Sequence, residues 1–239
     1  MTAFAADRFM ALLPAQTDGV VSAAEALDDA AVPAPSLLPG WSRGHVLTHL
    51  ARNADGLANL ASTATTGVPQ PMYVSRQARD EDIERGAGRP VAELVVDLRS
   101  SAGRLAAALR AVPVTEADVT VPTGLGTTMA VRDLPWIRLR EIAYHHVDLD
   151  VGFTFDDLPD EVLQAGLVEC ERRLSASDGG RTVSGRLSSG QQVTLTALDD
   201  GPAVRGPAGA VLGWLTGRTA GAGLATDDGS PLPAVPAWG

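Results

Sequence analysis

The four histidines of this chain fall in two pairs, and each pair lies in a segment with helical character. His45 and His49 sit in Gly-Trp-Ser-Arg-Gly-His-Val-Leu-Thr-His-Leu. His145 and His146 sit in Arg-Glu-Ile-Ala-Tyr-His-His-Val-Asp-Leu-Asp, with Glu141 one helical turn before His145. Residues four apart on an α-helix lie about 40° apart around its axis. Glu141 and His145 therefore share a face, joined by Arg138 and, about 20° off that line, by Asp148. His146 points about 100° away. On the other segment His45, His49 and Asn53 form a similar stripe beside Val46, Leu50, Ala54 and Leu57. Two such helices have two options. They turn their polar stripes to solvent, or they face each other across a ligand.

Two imidazoles and a carboxylate make a three-ligand zinc set with a fourth position open for water or substrate. The spacing selects His49, Glu141 and His145 as metal ligands. It leaves His45 and Asp148 to orient a ligand or move protons. The competing reading is an exposed stripe with an i,i+4 Glu–His pair. The lack of histidine anywhere else favours the metal. The donor set also accepts Fe, Co, Ni or Mn. Trp41 and Trp136, near the starts of the two segments, read as packing residues.

Composition narrows the function classes. The net charge of −10 argues against nucleic acid or an anionic membrane as partner. All 19 basic residues are arginine, which excludes Schiff-base chemistry and a P-loop lysine. Cys170 is the one thiol, so an intrachain disulfide and a Cys-rich zinc site are both excluded. The first residues lack a basic then apolar leader pattern, and no apolar run approaches the roughly 18 residues of a membrane span. A cytoplasmic protein is expected, as a monomer or small homo-oligomer acting on small molecules.

The 239 residues, 45% apolar, suit one large or two small domains. Helices are expected over about 3–27, 42–66, 90–111 and 133–152. Pro14 is a weak point in the first, Ser42 the N-cap of the second and Gly67 its stop, and Pro135 lies just inside the fourth. Phe4, Met10, Leu13, Val20, Val21 and Ala24 are candidate core on the first helix. The polar stretch 70–88 reads as a mobile connection. Four long helices with long connections make a four-helix bundle. After about residue 155 the pattern changes: a fifth helix over 159–175, short strands over 182–187 and 192–198, a short helix over 208–215, then a Pro/Gly-rich tail. The expected fold is mixed α and α+β, with a helical bundle over 1–154 and a small α+β domain over 155–239.

The segment from Leu38 through Trp41, His45 and His49 to Asn53, together with Arg140-Glu-Ile-Ala-Tyr-His-His-Val-Asp-Leu, resembles the mycothiol-dependent maleylpyruvate isomerase family. Gly213-Trp-Leu-Thr-Gly-Arg-Thr near the end resembles it as well. The resemblance implies a DinB-like bundle followed by a smaller domain akin to sterol-carrier folds. It places the family's metal ligands on His49, Glu141 and His145, and its active-site arginine on Arg218, which spacing alone does not distinguish among 19 arginines. It implies conversion of maleylpyruvate to fumarylpyruvate in gentisate degradation. Mycothiol would add to the alkene as thiolate, the bond would rotate, and the thiol would leave. A divalent metal, zinc first, would activate the thiol or polarise the ketone. Arg218 would pair with a substrate carboxylate, at an interface of the two domains. Two alternatives stand beside it: a thiol S-transferase that uses the same metal and thiolate on another electrophile, and a non-enzymatic carrier or regulatory module whose second domain binds an apolar small molecule.

Overall fold

The structure is a computed structural model that describes residues 3–123, 128–175 and 179–237, with the side chains of residues 3–5, and so the candidate core residue Phe4, outside the description. The chain divides into two compact units, Met1–Val151 and Gly152–Gly239.

The first unit holds five α-helices: α1 (Ala3–Glu25), α2 (Arg43–Thr66), α3 (Arg76–Ala87), α4 (Val91–Ala111) and α5 (Leu134–Asp148). A short antiparallel hairpin, β1 (Thr120–Pro122) and β2 (Thr128–Ala130), lies between α4 and α5. Helices α1, α4, α2 and α5 pack in a closed ring, each against two others, which makes the four-helix bundle. Its core is built from regularly spaced aliphatics: Val20, Val21 and Ala24 on α1, Val46, Leu47 and Leu50 on α2, Leu94, Val95 and Leu98 on α4, and Ile142 on α5. Met10 and Leu13 pack against a second cluster nearer the hairpin. Pro14 lies inside α1, and the helix continues through it.

The start of α2 is set by Ser42, whose hydroxyl accepts from the His45 backbone N–H while its own N–H donates to His45 Nδ1. This is a capping box with a histidine in the place usually taken by Glu or Gln. Gly67 closes the helix in the left-handed region at φ 68°. The stretch expected as a connection over 70–88 instead carries α3. Ser75 caps it, Gln77 Nε2 donates to Glu81 Oε1 at 2.7 Å, and only Ile83, Gly86 and Ala87 are buried. A helix with seven charged residues among its twelve has no apolar stripe to betray it.

The second unit contains α6 (Asp160–Leu174), α7 (Ala208–Leu215) and a four-stranded sheet. The strands are β3 (Arg181–Arg186), β4 (Gln192–Ala197), β5 (Val204–Pro207) and β6 (Ala225–Thr226), in the order β4-β3-β5-β6. β3 pairs antiparallel with β4 and parallel with β5, with Val183 opposite Leu195 and Val204. α6 and α7 pack on the sheet and on each other. The strands β5 and β6 and the hairpin β1–β2 were not expected from sequence. No helix among the described residues is long and apolar enough to cross a membrane.

Candidate metal centre

The paired-helix arrangement expected from the histidines is what the bundle builds. α2 and α5 are neighbours in the ring, and His49, Glu141 and His145 each offer one ligand atom, all within 4.8 Å of one another. His49 Nε2 lies 3.0 Å from Glu141 Oε2, and His145 Nε2 lies 3.6 Å from the same oxygen. The two imidazole rings meet edge to face at 4.6 Å. His49 is 5% exposed, so the group is closed to bulk water on the α2 side.

The surroundings fix each member. His145 Nδ1 is 2.8 Å from Asp148 Oδ2, a carboxylate with no exposure at all. A carboxylate only accepts, so His145 Nδ1 carries a proton, and Nε2 is the nitrogen turned toward Glu141 and His49. Arg140 Nη2 donates to Glu141 Oε1 at 3.1 Å. His49 Nδ1 is 3.2 Å from Arg79 Nη2 on α3. Arg138, 2% exposed, spans from α5 to α2, donating to the Leu50 carbonyl at 2.7 Å and to Asn53 Oδ1 at 3.0 Å. It ties the helices that carry His49 and Glu141 together one residue after His49.

Charge follows from these contacts. Burial lowers His49 to about 4 against the pull of Glu141. Burial opposes charge on His145 too, but the hydrogen bonds to Asp148 and Glu141 outweigh it and the pKa rises. Burial works against the Glu141 carboxylate, yet hydrogen bonds from His145 and His49 hold it well below its ordinary range. Burial brings the Arg138 guanidinium down to about 10.

The other expected residues are placed as follows. His45 is outside the three-residue group: its Nδ1 serves the Ser42 cap and its Nε2 is 3.0 Å from Glu84 Oε2. His146 points away, as its position on the helix requires, and its ring comes near Gly19 of α1. Trp41 packs on the rings of His45 and His49 at 6.1 and 5.5 Å, and Trp136 stacks on Phe9 at 5.1 Å. Arg218 belongs to the second unit, just past α7, where it reaches the Thr216 carbonyl at 3.4 Å. Cys170 is fully buried on α6 in that same unit, and burial pushes its thiol up to about 12.

Sequence reasoning passed over two residues at the site, both from the 70–88 stretch. Arg79 reaches His49, and its guanidinium lies 5.8 Å from the centre of the Tyr73 ring. Tyr73 is seated there because Gly56 on α2 lets the chain pass close; a Cβ at Gly56 would stand 2.8 Å from Met72 and 3.1 Å from Tyr73.

Two imidazoles and a carboxylate converging from two helices of a bundle make a candidate metal site of the kind helical bundles build between facing helices. Residues 13–150 match the family described as the mycothiol maleylpyruvate isomerase N-terminal domain, and the chain belongs to that family. The crystal structure of the mycothiol-dependent maleylpyruvate isomerase superposes with a TM-score of 0.86 at 29% identity, covering 100% of both chains. A histidine-to-alanine mutant of that enzyme gives 0.86 at 28% identity over the same coverage. YfiT from Bacillus subtilis, a four-helix bundle of unusual topology, gives 0.51 at 16% identity, covering 62% of this chain and 84% of its own. At that identity the likeness concerns the fold alone. The DinB-like bundle followed by a small mixed domain is thus the fold of this chain. Comparison with curated proteins gives no match.

Proposed function

We propose that the chain is a mycothiol-dependent cis–trans isomerase that converts maleylpyruvate to fumarylpyruvate, with one zinc ion held by His49, Glu141 and His145. The observation that carries this reading is the meeting of two nitrogens and one carboxylate oxygen within 4.8 Å on neighbouring helices of the bundle. The donors fit a divalent ion in number and chemistry, and Asp148 stands behind His145 as outer carboxylates do behind metal-bound histidines. When bound, such an ion supplies positive charge that lowers the pKa of a thiol or withdraws density from a carbonyl.

The chain's own residues do the rest. Glu141 stays ionised because its oxygens are hydrogen-bonded by His49, His145 and Arg140. His49 stays a neutral ring through neutral and mildly acidic pH because burial opposes its charge. Asp148 holds the Nδ1 proton of His145 and so fixes the ring's orientation. His45 fixes the first turn of α2, from which His49 projects one turn later. Arg218 pairs with a substrate carboxylate, which a planar guanidinium suits. The attacking sulfur comes from the cosubstrate; Cys170, buried and with a raised pKa, is an inert thiol. The isomerase structures that match over the whole chain support the choice of thiol and substrate.

The test is an ultraviolet assay of zinc-loaded protein with maleylpyruvate, with and without mycothiol. Fumarylpyruvate formed only with mycothiol, and no net thiol consumed, is the expected result. Folded, metal-loaded protein that gives no turnover would overturn the isomerase reading, and stoichiometric loss of thiol would replace it with S-transfer.

A further inference from the structure

The contact between Arg79 and His49 runs the wrong way for a metal ligand. Arginine has five N–H donors and no acceptor. The 3.2 Å contact therefore makes His49 Nδ1 the acceptor, and His49 then donates from Nε2 to Glu141 at 3.0 Å. A metal-bound histidine ordinarily does the reverse, donating its outer N–H to a carboxylate, carbonyl or water. His145 already has that arrangement, with Asp148 behind it. If Nε2 of a neutral His49 is given to a metal, the one ring proton must sit on Nδ1, and it then faces the guanidinium donor-to-donor.

α3 is built to allow the guanidinium to leave. Its second half is clamped to α2: a Cβ at Gly86 would collide with the Thr48 side chain, and one at Gly44 with the Ala87 carbonyl. Its three buried residues, Ile83, Gly86 and Ala87, all lie in that half. Arg79 is in the unclamped first half, 25% exposed, resting on the Tyr73 ring at 5.8 Å and paired with Asp80 at 2.6 Å. Few buried contacts oppose its displacement.

We propose that Arg79 is a latch on His49 that metal loading opens, and that the freed guanidinium then takes a carboxylate of the substrate. The ring proton passes from Nε2 to Nδ1 by exchange with water, with no net proton gained or lost. The second half of the proposal rests on the isomerase reading, in which the substrate carries carboxylates that a guanidinium can pair with.

Zinc affinity of the full-length, metal-free protein, measured by competition with a chromophoric chelator, tests the latch. An ordinary outer partner weakens metal binding by about 10- to 100-fold when removed. Arg79→Gln, whose amide oxygen can accept from Nδ1–H, is expected to bind zinc about tenfold more tightly than wild type, the opposite sign. The same variant, saturated with zinc, is expected to raise KM for maleylpyruvate about tenfold or more with kcat within about threefold. In wild type, long-range 1H–15N spectra should show His49 as the Nε2–H form without zinc and the Nδ1–H form with it. Weaker zinc binding by a folded Arg79→Gln, or an Nδ1–H form of His49 in the metal-free protein, overturns the latch while leaving the metal site standing. Wild type that binds no zinc overturns the metal site and the latch together. Tighter zinc binding with unchanged KM overturns the carboxylate role alone.

Discussion

The two histidines that meet at Glu141 are held in opposite ways. α5 gives His145 an acceptor: Asp148 lies 2.8 Å from Nδ1 with no exposure to solvent. α3 gives His49 a donor, Arg79, on the equivalent nitrogen at 3.2 Å. Burial lowers the pKa of His49 to about 4, whereas on His145 the bond to Asp148 overcomes burial and raises it. One residue type, bonded to one carboxylate, is thus a neutral ring on one helix and a proton-holding ring on the other. The partner behind the ring, more than the ring's own burial, sets the difference.

The strongest way to break this comparison is to remove a ligand. His49→Ala should lose stoichiometric zinc and lower turnover by more than about a hundredfold, beyond the upper end of what loss of an outer partner costs. Zinc analysis of the purified variant checks it, and a full complement of metal would sink the ligand assignment. Next in size is Asp148→Ala. It should weaken zinc binding by about 10- to 100-fold. In the metal-free protein it should also reverse the direction of the His145 shift, because burial then acts with less to oppose it. The His145 ring-proton NMR titration would move to lower pH, and an unmoved titration would remove Asp148 from the account.

Cys170 sharpens the comparison by supplying a buried titratable group for which burial prevails. Its thiol, pushed up to about 12, should react with a disulfide reagent at pH 8 only as the protein unfolds. Cys170→Ala should keep turnover within about twofold if the reacting sulfur is supplied by mycothiol. The smallest effect concerns Asp97, held between Arg52 and Arg89 at 2.7 Å each. Burial disfavours its charge, but the two guanidinium bonds outweigh that and its pKa is lowered. The stabilisation is therefore present above the unfolded-state pKa near ~4 and is lost as pH falls through the lower folded value. Asp97→Asn should melt about 2–4 °C below wild type at pH 7, with the gap closing below about pH 4. A gap independent of pH would show that packing, not charge, is at stake.

The site was legible where its geometry is local. Glu141, His145 and Asp148 lie within two helical turns, so the 3.6-residue period alone places them on one face. His49 was legible as half of a second stripe, and Ser42 and Gly67 marked the helix that carries it. Arg79 and Tyr73 were not legible, for two physical reasons. α3 buries only three residues and so leaves no apolar rhythm in the sequence. Tyr73 reaches the site through the close approach at Gly56, a tertiary contact that no local pattern encodes. His45 was read from spacing as a residue that orients a ligand or moves protons; in the fold its Nδ1 takes the capping-box place and its Nε2 lies by Glu84, contacts that spacing does not signal. In the second unit, α6, α7, β3 and β4 followed from pattern and flanking turns. β5 and β6 did not, because Gly206 and Pro207 weaken the strand signal and a two-residue strand carries none.

The most direct test of the metal centre is an anomalous difference map, recorded at the zinc edge, from crystals of the zinc-loaded protein. One peak per chain, bounded by His49 Nε2, the Glu141 carboxylate and His145 Nε2, is the predicted result. No peak there, or zinc bound elsewhere while these three side chains keep their direct contacts, would contradict it.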